Sequence, residues 1–135
     1  MKPAAALTLA IALAACAGPA GAPRPGGAPA PPDATSAREI LLRFGEALEA
    51  GRFEVAWALL SPRWRATTTP ARLASDWRGA AGIAGDAAAR ARLRGATAPL
   101  TLESGPPAVA RLDLGEGRQA VLVAEGSRWR VDRLE

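Results

Sequence analysis

The apolar residues of this chain change period once, and that change fixes what the chain can fold into. Up to about residue 79 they recur at helical spacing, and from Leu100 onward they alternate with polar residues. Helices followed by a run of strands joined by short turns make an α+β layer, with N-terminal helices packed on a curved antiparallel sheet.

The helical part divides at its breakers. Ser36 with Glu39 three residues later reads as a capping box. Ile40, Leu41, Phe44 and Leu48 then share one face, and Gly51 is a natural stop after Ala50. A second helix is expected over residues 53–60, with Phe53, Ala56, Trp57 and Leu60 as its stripe, ended by Pro62. Residues 63–68 read as a loop or short turn around Trp64. A third helix opens on Thr69 as N-cap with Pro70 at its first position, and Leu73 and Trp77 share a face. Residues 86–94 are ambiguous: Ala89 to Arg94 alternates like a strand, but alanine favours helix, and the reading taken is helix.

The strand part reads as a meander over residues 100–103, 109–114, 120–125 and 128–133. Pro106 with Pro107, Gly115 to Gly117, and Gly126 with Ser127 mark its turns. Val121, Leu122 and Val123 make the third run the most buried candidate, and Trp129 and Val131 point inward from the last.

Ahead of the folded part lie two segments of different chemistry. Lys2 precedes an apolar run from Ala4 to Ala14, and Leu13-Ala14-Ala15-Cys16 closes it. A positive start, a core of about 7 to 15 apolar residues and small residues at the cut site are what a secretory signal needs. The run is too short to span a bilayer, which takes about 20 residues. Cys16 is the only cysteine, so no second thiol exists for a disulfide. Residues 17–34 are nearly all Ala, Gly and Pro and cannot bury enough apolar surface to fold. As a tether they reach about 55 Å in extended polyproline form, or roughly 25 Å as coil.

Leu13-Ala14-Ala15-Cys16 resembles the bacterial lipoprotein lipobox. The resemblance implies a signal peptide over residues 1–15 that is removed. It implies a mature chain starting at Cys16, with diacylglycerol on its sulfur and an acyl chain such as palmitate on its amine. Ala17, where an aspartate often marks inner-membrane retention, implies the outer membrane facing the periplasm in a two-membrane cell. The plainer alternative is an ordinary cleavable signal with Cys16 as a stray thiol.

Within residues 35–135 a second resemblance appears. Phe44 and Leu48 on a helix, then Gly51-Arg52-Phe53, then Ala56-Trp57-Ala58-Leu59-Leu60-Ser61-Pro62, resemble the opening of NTF2-like domains of the SnoaL and DUF4878 type. Gly126-Ser127-Arg128-Trp129-Arg130-Val131 is similar to their closing strand. The resemblance implies a cone, with helices wrapped on a bent sheet around a pocket. Some members are enzymes with Asp, His or Tyr in that pocket; many, including small exported lipoproteins, are binding or assembly modules. This chain has neither His nor Tyr.

That absence also limits the chemistry directly. Without histidine, and with Cys16 committed to lipid, no His/Cys metal site and no Ser-His or Cys-His nucleophile can be built. No catalytic residue, metal ligand or cofactor is expected. Glu46 with Glu49, and Asp113 with Glu116, read as solvated surface. The net charge of +4 comes mostly from arginine and fits an anionic surface, but an exported chain has no nucleic acid to meet. Trp57, Trp77 and Trp129 read as core. Trp64 between Arg63 and Arg65 reads either as a cap on that core or as an exposed contact for a partner. Two functions are therefore expected. The preferred one is a non-enzymatic, membrane-anchored module that binds an envelope protein or an apolar small ligand. The alternative is an NTF2-like enzyme using a pocket carboxylate, with Asp76 as the nearest candidate.

Overall fold

The computed structural model describes residues 30, 32–80, 89, 92 and 94–135. The signal stretch, Cys16 and nearly all of the tether lie outside the described residues. Among the described residues, the helices whose bounds are defined are α1 (Ala34–Glu49), α2 (Phe53–Ala58), α3 (Pro62–Arg65) and α4 (Pro70–Gly79), and they precede four strands. The strands β1 (Leu100–Glu103), β2 (Val109–Gly115), β3 (Arg118–Glu125) and β4 (Arg128–Leu134) form one antiparallel sheet in the order β1-β2-β3-β4. The α+β class read from the change of period is what the chain adopts.

The helix α1 begins three residues earlier than the capping box over Ser36 and Glu39 implied. Asp33 is the N-cap: its carboxylate accepts the Ser36 N–H at 2.8 Å, while the Ser36 hydroxyl donates back to the Asp33 carbonyl at 2.8 Å. Those hydrogen bonds hold the Asp33 carboxyl below its usual range. Aspartate wins because an ionised acceptor at a helix N-terminus also meets the positive end of the macrodipole. At the other end, Gly51 sits at φ +67, the Arg52 N–H reaches the Ala47 carbonyl and the Gly51 N–H reaches Leu48. This is a Schellman stop, and it turns the chain directly into α2.

The second helix stops at Ala58 rather than Leu60, because Leu59 to Ser61 is drawn into the sheet. Leu60 forms a parallel bridge with Val131; the Ser61 N–H donates to the Val131 carbonyl at 2.8 Å and the Val131 N–H to Leu59 at 2.9 Å. The outer edge of β4 is covered in this way. Residues 63–68 are not simply a loop: Pro62–Arg65 makes one helical turn, with Ser61 accepting the Trp64 N–H and Pro62 at its first position. The start of α4 is as read, with Thr69 accepting the Arg72 N–H. Of residues 86–94, Ala89, Arg92 and Arg94 are helical, and the other positions lie outside the described residues. This stretch is tied to α1 by an Arg92–Glu49 ion pair and by Arg38 donating to the Gly95 carbonyl at 3.0 Å.

The core lies between α1, α2 and one face of the sheet. Ala37, Leu41, Phe44, Ala47 and Leu48 from α1 join Ala56, Leu59 and Leu60, and meet Ala110, Leu112, Ala120, Leu122, Trp129 and Val131 from the strands. Trp57 and Trp77 are only half-buried and pack against this cluster from outside, whereas Trp129 is buried within it. Alanines at Ala37, Ala47, Ala56, Ala110 and Ala120, all fully buried, let helix and sheet approach closely.

The β2–β3 hairpin turns on Glu116 and Gly117, both at positive φ (56 and 74), the geometry of a two-residue turn matched to strand twist. Gly115 before it is also at positive φ (81), and a side chain there would collide with the Arg94 guanidinium. That guanidinium is the far end of an exposed, flexible side chain and can swing aside, so Gly115→Ala and Gly117→Ala are expected to cost about the same. The left-handed backbone sets that cost at about 1–2 kcal/mol at either position, and urea titration of the two variants checks that they agree.

Candidate functional site

The triplet Arg63-Trp64-Arg65 sits on α3, at the seam where the helices cross the free side of β4. A bulge in β4 organises the seam. Val121 pairs with Arg133 but Leu122 pairs with Val131, so Asp132 is an extra residue with no opposite number. Strict alternation from Trp129 and Val131 would have sent Asp132 to the outer face. The bulge turns it toward the helices instead, where its side chain is only 12% exposed.

Asp132 is fully engaged there. Its Oδ1 accepts the Ser61 hydroxyl at 2.6 Å and the Arg63 Nε at 3.1 Å. Its Oδ2 accepts Arg63 Nη2 at 3.0 Å, and its own carbonyl accepts Nη2 at 2.8 Å. Arg63 thus grips carboxylate and backbone together with a bidentate fork. Burial pushes the Asp132 carboxyl upward. The hydrogen bonds from Arg63 and Ser61, with the charges of Arg63 and Arg133, outweigh it and hold the pKa below the ordinary value. The reciprocal effect raises that of Arg63.

The other two members of the triplet are also tied down. The Trp64 ring packs against the core, tilted at 42° to Phe44 with centroids 6.5 Å apart. Of the two readings of this tryptophan, the structure places it as a half-buried cap. Arg65 lies over the Trp57 ring at 5.9 Å and reaches the Glu125 carboxylate at 3.2 Å. Arg130 takes the same carboxylate at 2.7 Å and donates to the Ala58 carbonyl at 2.7 Å. The Trp57 indole donates to the Thr68 carbonyl at 2.9 Å. Two polar groups, Ser61 with Arg63 and Asp132 and Arg65 with Glu125 and Arg130, together make a strap that ties α2 and α3 to the end of β3 and to β4. Arg63 is its more exposed cation, at 63% of its side chain against 50% for Arg133.

The polar groups of this arrangement are bonded to one another. The Ser61 hydroxyl is buried, donates its proton to Asp132 and accepts the Trp64 N–H. Asp76, the carboxylate the enzyme alternative looked to, stands in solvent one turn from Arg72 and paired with it at 3.3 Å. Glu46, Asp113 and Glu116 are exposed, as is Glu49, which Arg92 pairs. Among the described residues no three His, Cys, Asp or Glu side chains come together as a metal site. An open depression of about 280 Å³ is lined by Arg94, Thr97, Ala98, Pro99, Asp113 and Gly115, none of them in the strap.

Sequence reasoning named Arg63, Trp64 and Arg65 and missed Asp132, Ser61, Glu125 and Arg130. Cys16 lies outside the described residues, and no described helix is long and apolar enough to cross a membrane. No family model, curated protein or solved structure matches the chain.

Proposed function

We propose that this chain is an envelope lipoprotein whose folded part is a non-enzymatic binding or assembly module. In this reading residues 1–15 are a signal peptide, Cys16 carries the lipid and residues 17–32 are the tether. From Asp33, the cap of α1, to residue 135 the chain forms an NTF2-like domain held at the outer membrane and facing the periplasm. The observation that carries it is Leu13-Ala14-Ala15-Cys16 closing an apolar run, with a segment too poor in apolar side chains to fold between it and α1. A lipid-bearing cysteine followed by a polyproline-rich spacer is the arrangement a tethered globule requires. Two acyl anchors are enough for stable attachment where one is marginal.

Support for binding over catalysis comes from the strap. Its carboxylates are neutralised by arginine, and the chain contains no histidine to act as base. Arg63, with Trp64 and Arg65 behind it, is the contact we assign to an envelope partner.

Mass spectrometry of the protein extracted from its own membranes tests the anchor. The wild type is expected to begin at Cys16 and to carry the mass of a diacylglycerol thioether. Cys16→Ser is expected to lose both the lipid and the cut. An unmodified thiol with residues 1–15 still attached would overturn the reading.

A further inference from the structure

The two edges of the sheet are treated differently. Leu59 to Ser61 covers β4, but among the described residues nothing pairs with the outer side of β1. The hydrogen-bond phase identifies the groups left facing outward. The Asp113 N–H donates to the Pro99 carbonyl at 3.0 Å, so odd-numbered residues of β1 face β2. The same phase holds across the next pair, where the Ala124 N–H reaches the Ala108 carbonyl and leaves the odd-numbered residues of β2 to β1. The N–H and C=O of Leu100 and Leu102 therefore point away from the sheet. The Leu102 side chain, on the same face as buried Ala110, is 47% exposed.

We infer that the outer edge of β1 pairs antiparallel with β1 of a second copy of this chain, about a two-fold axis through Thr101. The short sequence Leu100-Thr101-Leu102 is its own complement in that register. Leu100 opposes Leu102 of the second copy, and each such pair exchanges both of its outward backbone bonds. The four leucine side chains gather on the helix side of the sheet, extending the apolar face made by Ala110 and Leu112. Thr101 meets Thr101 on the opposite face, a favourable cross-strand pair. Glu103 opposes Pro99, so no carboxylate faces another, and Glu103 keeps its ion pair with Arg111 at 2.6 Å. An axis through Leu102 would set Leu100 against Ser104 and Thr101 against Glu103, and loses this match. Pairing in the Thr101 register joins two four-stranded sheets into one and leaves β4, with its covering segment, at each outer edge.

The register gives a sharp test, because Cys16 is the only native cysteine. In the full chain carrying Cys16→Ser, residue 101 of one copy opposes residue 101 of the other at a non-hydrogen-bonded site. The Cα atoms there are about 4.5 Å apart, within disulfide reach. Residue 103 is about 13 Å from its counterpart. Thr101→Cys is expected to give a disulfide dimer as the main species on a non-reducing gel after mild oxidation, and Glu103→Cys to remain monomeric. Adding Leu102→Pro to Thr101→Cys removes an outward N–H while sparing the β1–β2 ladder, and the dimer is expected to disappear. Absence of dimer with Thr101→Cys, equal dimer with Glu103→Cys, or dimer that survives Leu102→Pro each overturns the pairing.

Discussion

Trp129→Ala is expected to cost about 3–5 kcal/mol, the range for truncating a large aromatic in a packed core. Trp129 is the largest fully buried side chain, only 1% exposed, and it lies in the cluster where α1, the end of α2 and the sheet meet. Its indole N–H also donates to the Asp33 carbonyl at 2.9 Å, which fixes the point where the chain enters α1 against β4. Alanine leaves a large cavity and frees that entry point at once. A domain of this size has a total stability of about 5–15 kcal/mol, so the variant retains little of it. Trp129→Phe separates the two contributions: most of the apolar volume stays, the N–H is lost, and the cost is about 1–2 kcal/mol. Urea denaturation of the two variants reads both values. A Trp129→Ala loss no greater than that of Trp129→Phe would show that the cluster is not centred on this ring.

The inward position of Trp129 was legible in the sequence because it follows from local alternation. So were the strand runs, the Gly51 stop and the Thr69-Pro70 start, each of which depends on residues within a turn or two of one another. What was not legible depends on contacts between residues far apart in the chain. Asp33 outranks Ser36 as a cap although both are good capping residues, and Trp129, 96 residues on, also bonds to its carbonyl. Leu59 and Leu60 carry a helical pattern but leave the helix because Val131 offers them a strand edge. Trp64 reads from the sequence as a cap on the core ahead of an exposed contact, and its packing against Phe44 places it as the cap. The strap itself was half visible. Arg63 and Arg65 stand out beside a tryptophan, but their acceptors Asp132 and Glu125 lie 69 and 60 residues away. The bulge that turns Asp132 inward leaves no mark on the alternation around it. The proposed anchor is the reverse case: its reading rests on Leu13-Ala14-Ala15-Cys16 and the apolar run before them, and owes nothing to the fold.

Loss of the Asp132 carboxylate is the second large effect. Asp132→Ala is expected to destabilise the domain by about 2 kcal/mol near neutral pH, the scale of hydrogen bonds to a mostly buried charged group. The Ser61 hydroxyl loses its acceptor in a buried setting, and α3 loses the bond that closes it on β4. Asp132→Asn keeps the shape and an acceptor oxygen but not the charge, so its loss is smaller and it isolates the electrostatic part. The pH dependence has a definite sign. The folded-state pKa of Asp132 lies below the ordinary 3.8 of the unfolded chain, so the unfolded state binds the proton first on acidification. The contribution of the carboxylate is therefore complete above about pH 5, declines as the pH falls past 3.8, and is gone below the folded pKa. Wild type and Asp132→Asn should accordingly differ most at neutral pH and converge in acid. Because Arg63 is the first of the groups that lower this pKa, Arg63→Gln is expected to move the convergence to higher pH. Urea midpoints from pH 7 to pH 2.5 for wild type and Asp132→Asn, and for Arg63→Gln with and without Asp132→Asn, give the comparison. A gap between wild type and Asp132→Asn that stays constant across that range would mean that Asp132 holds α3 by shape alone and not by charge.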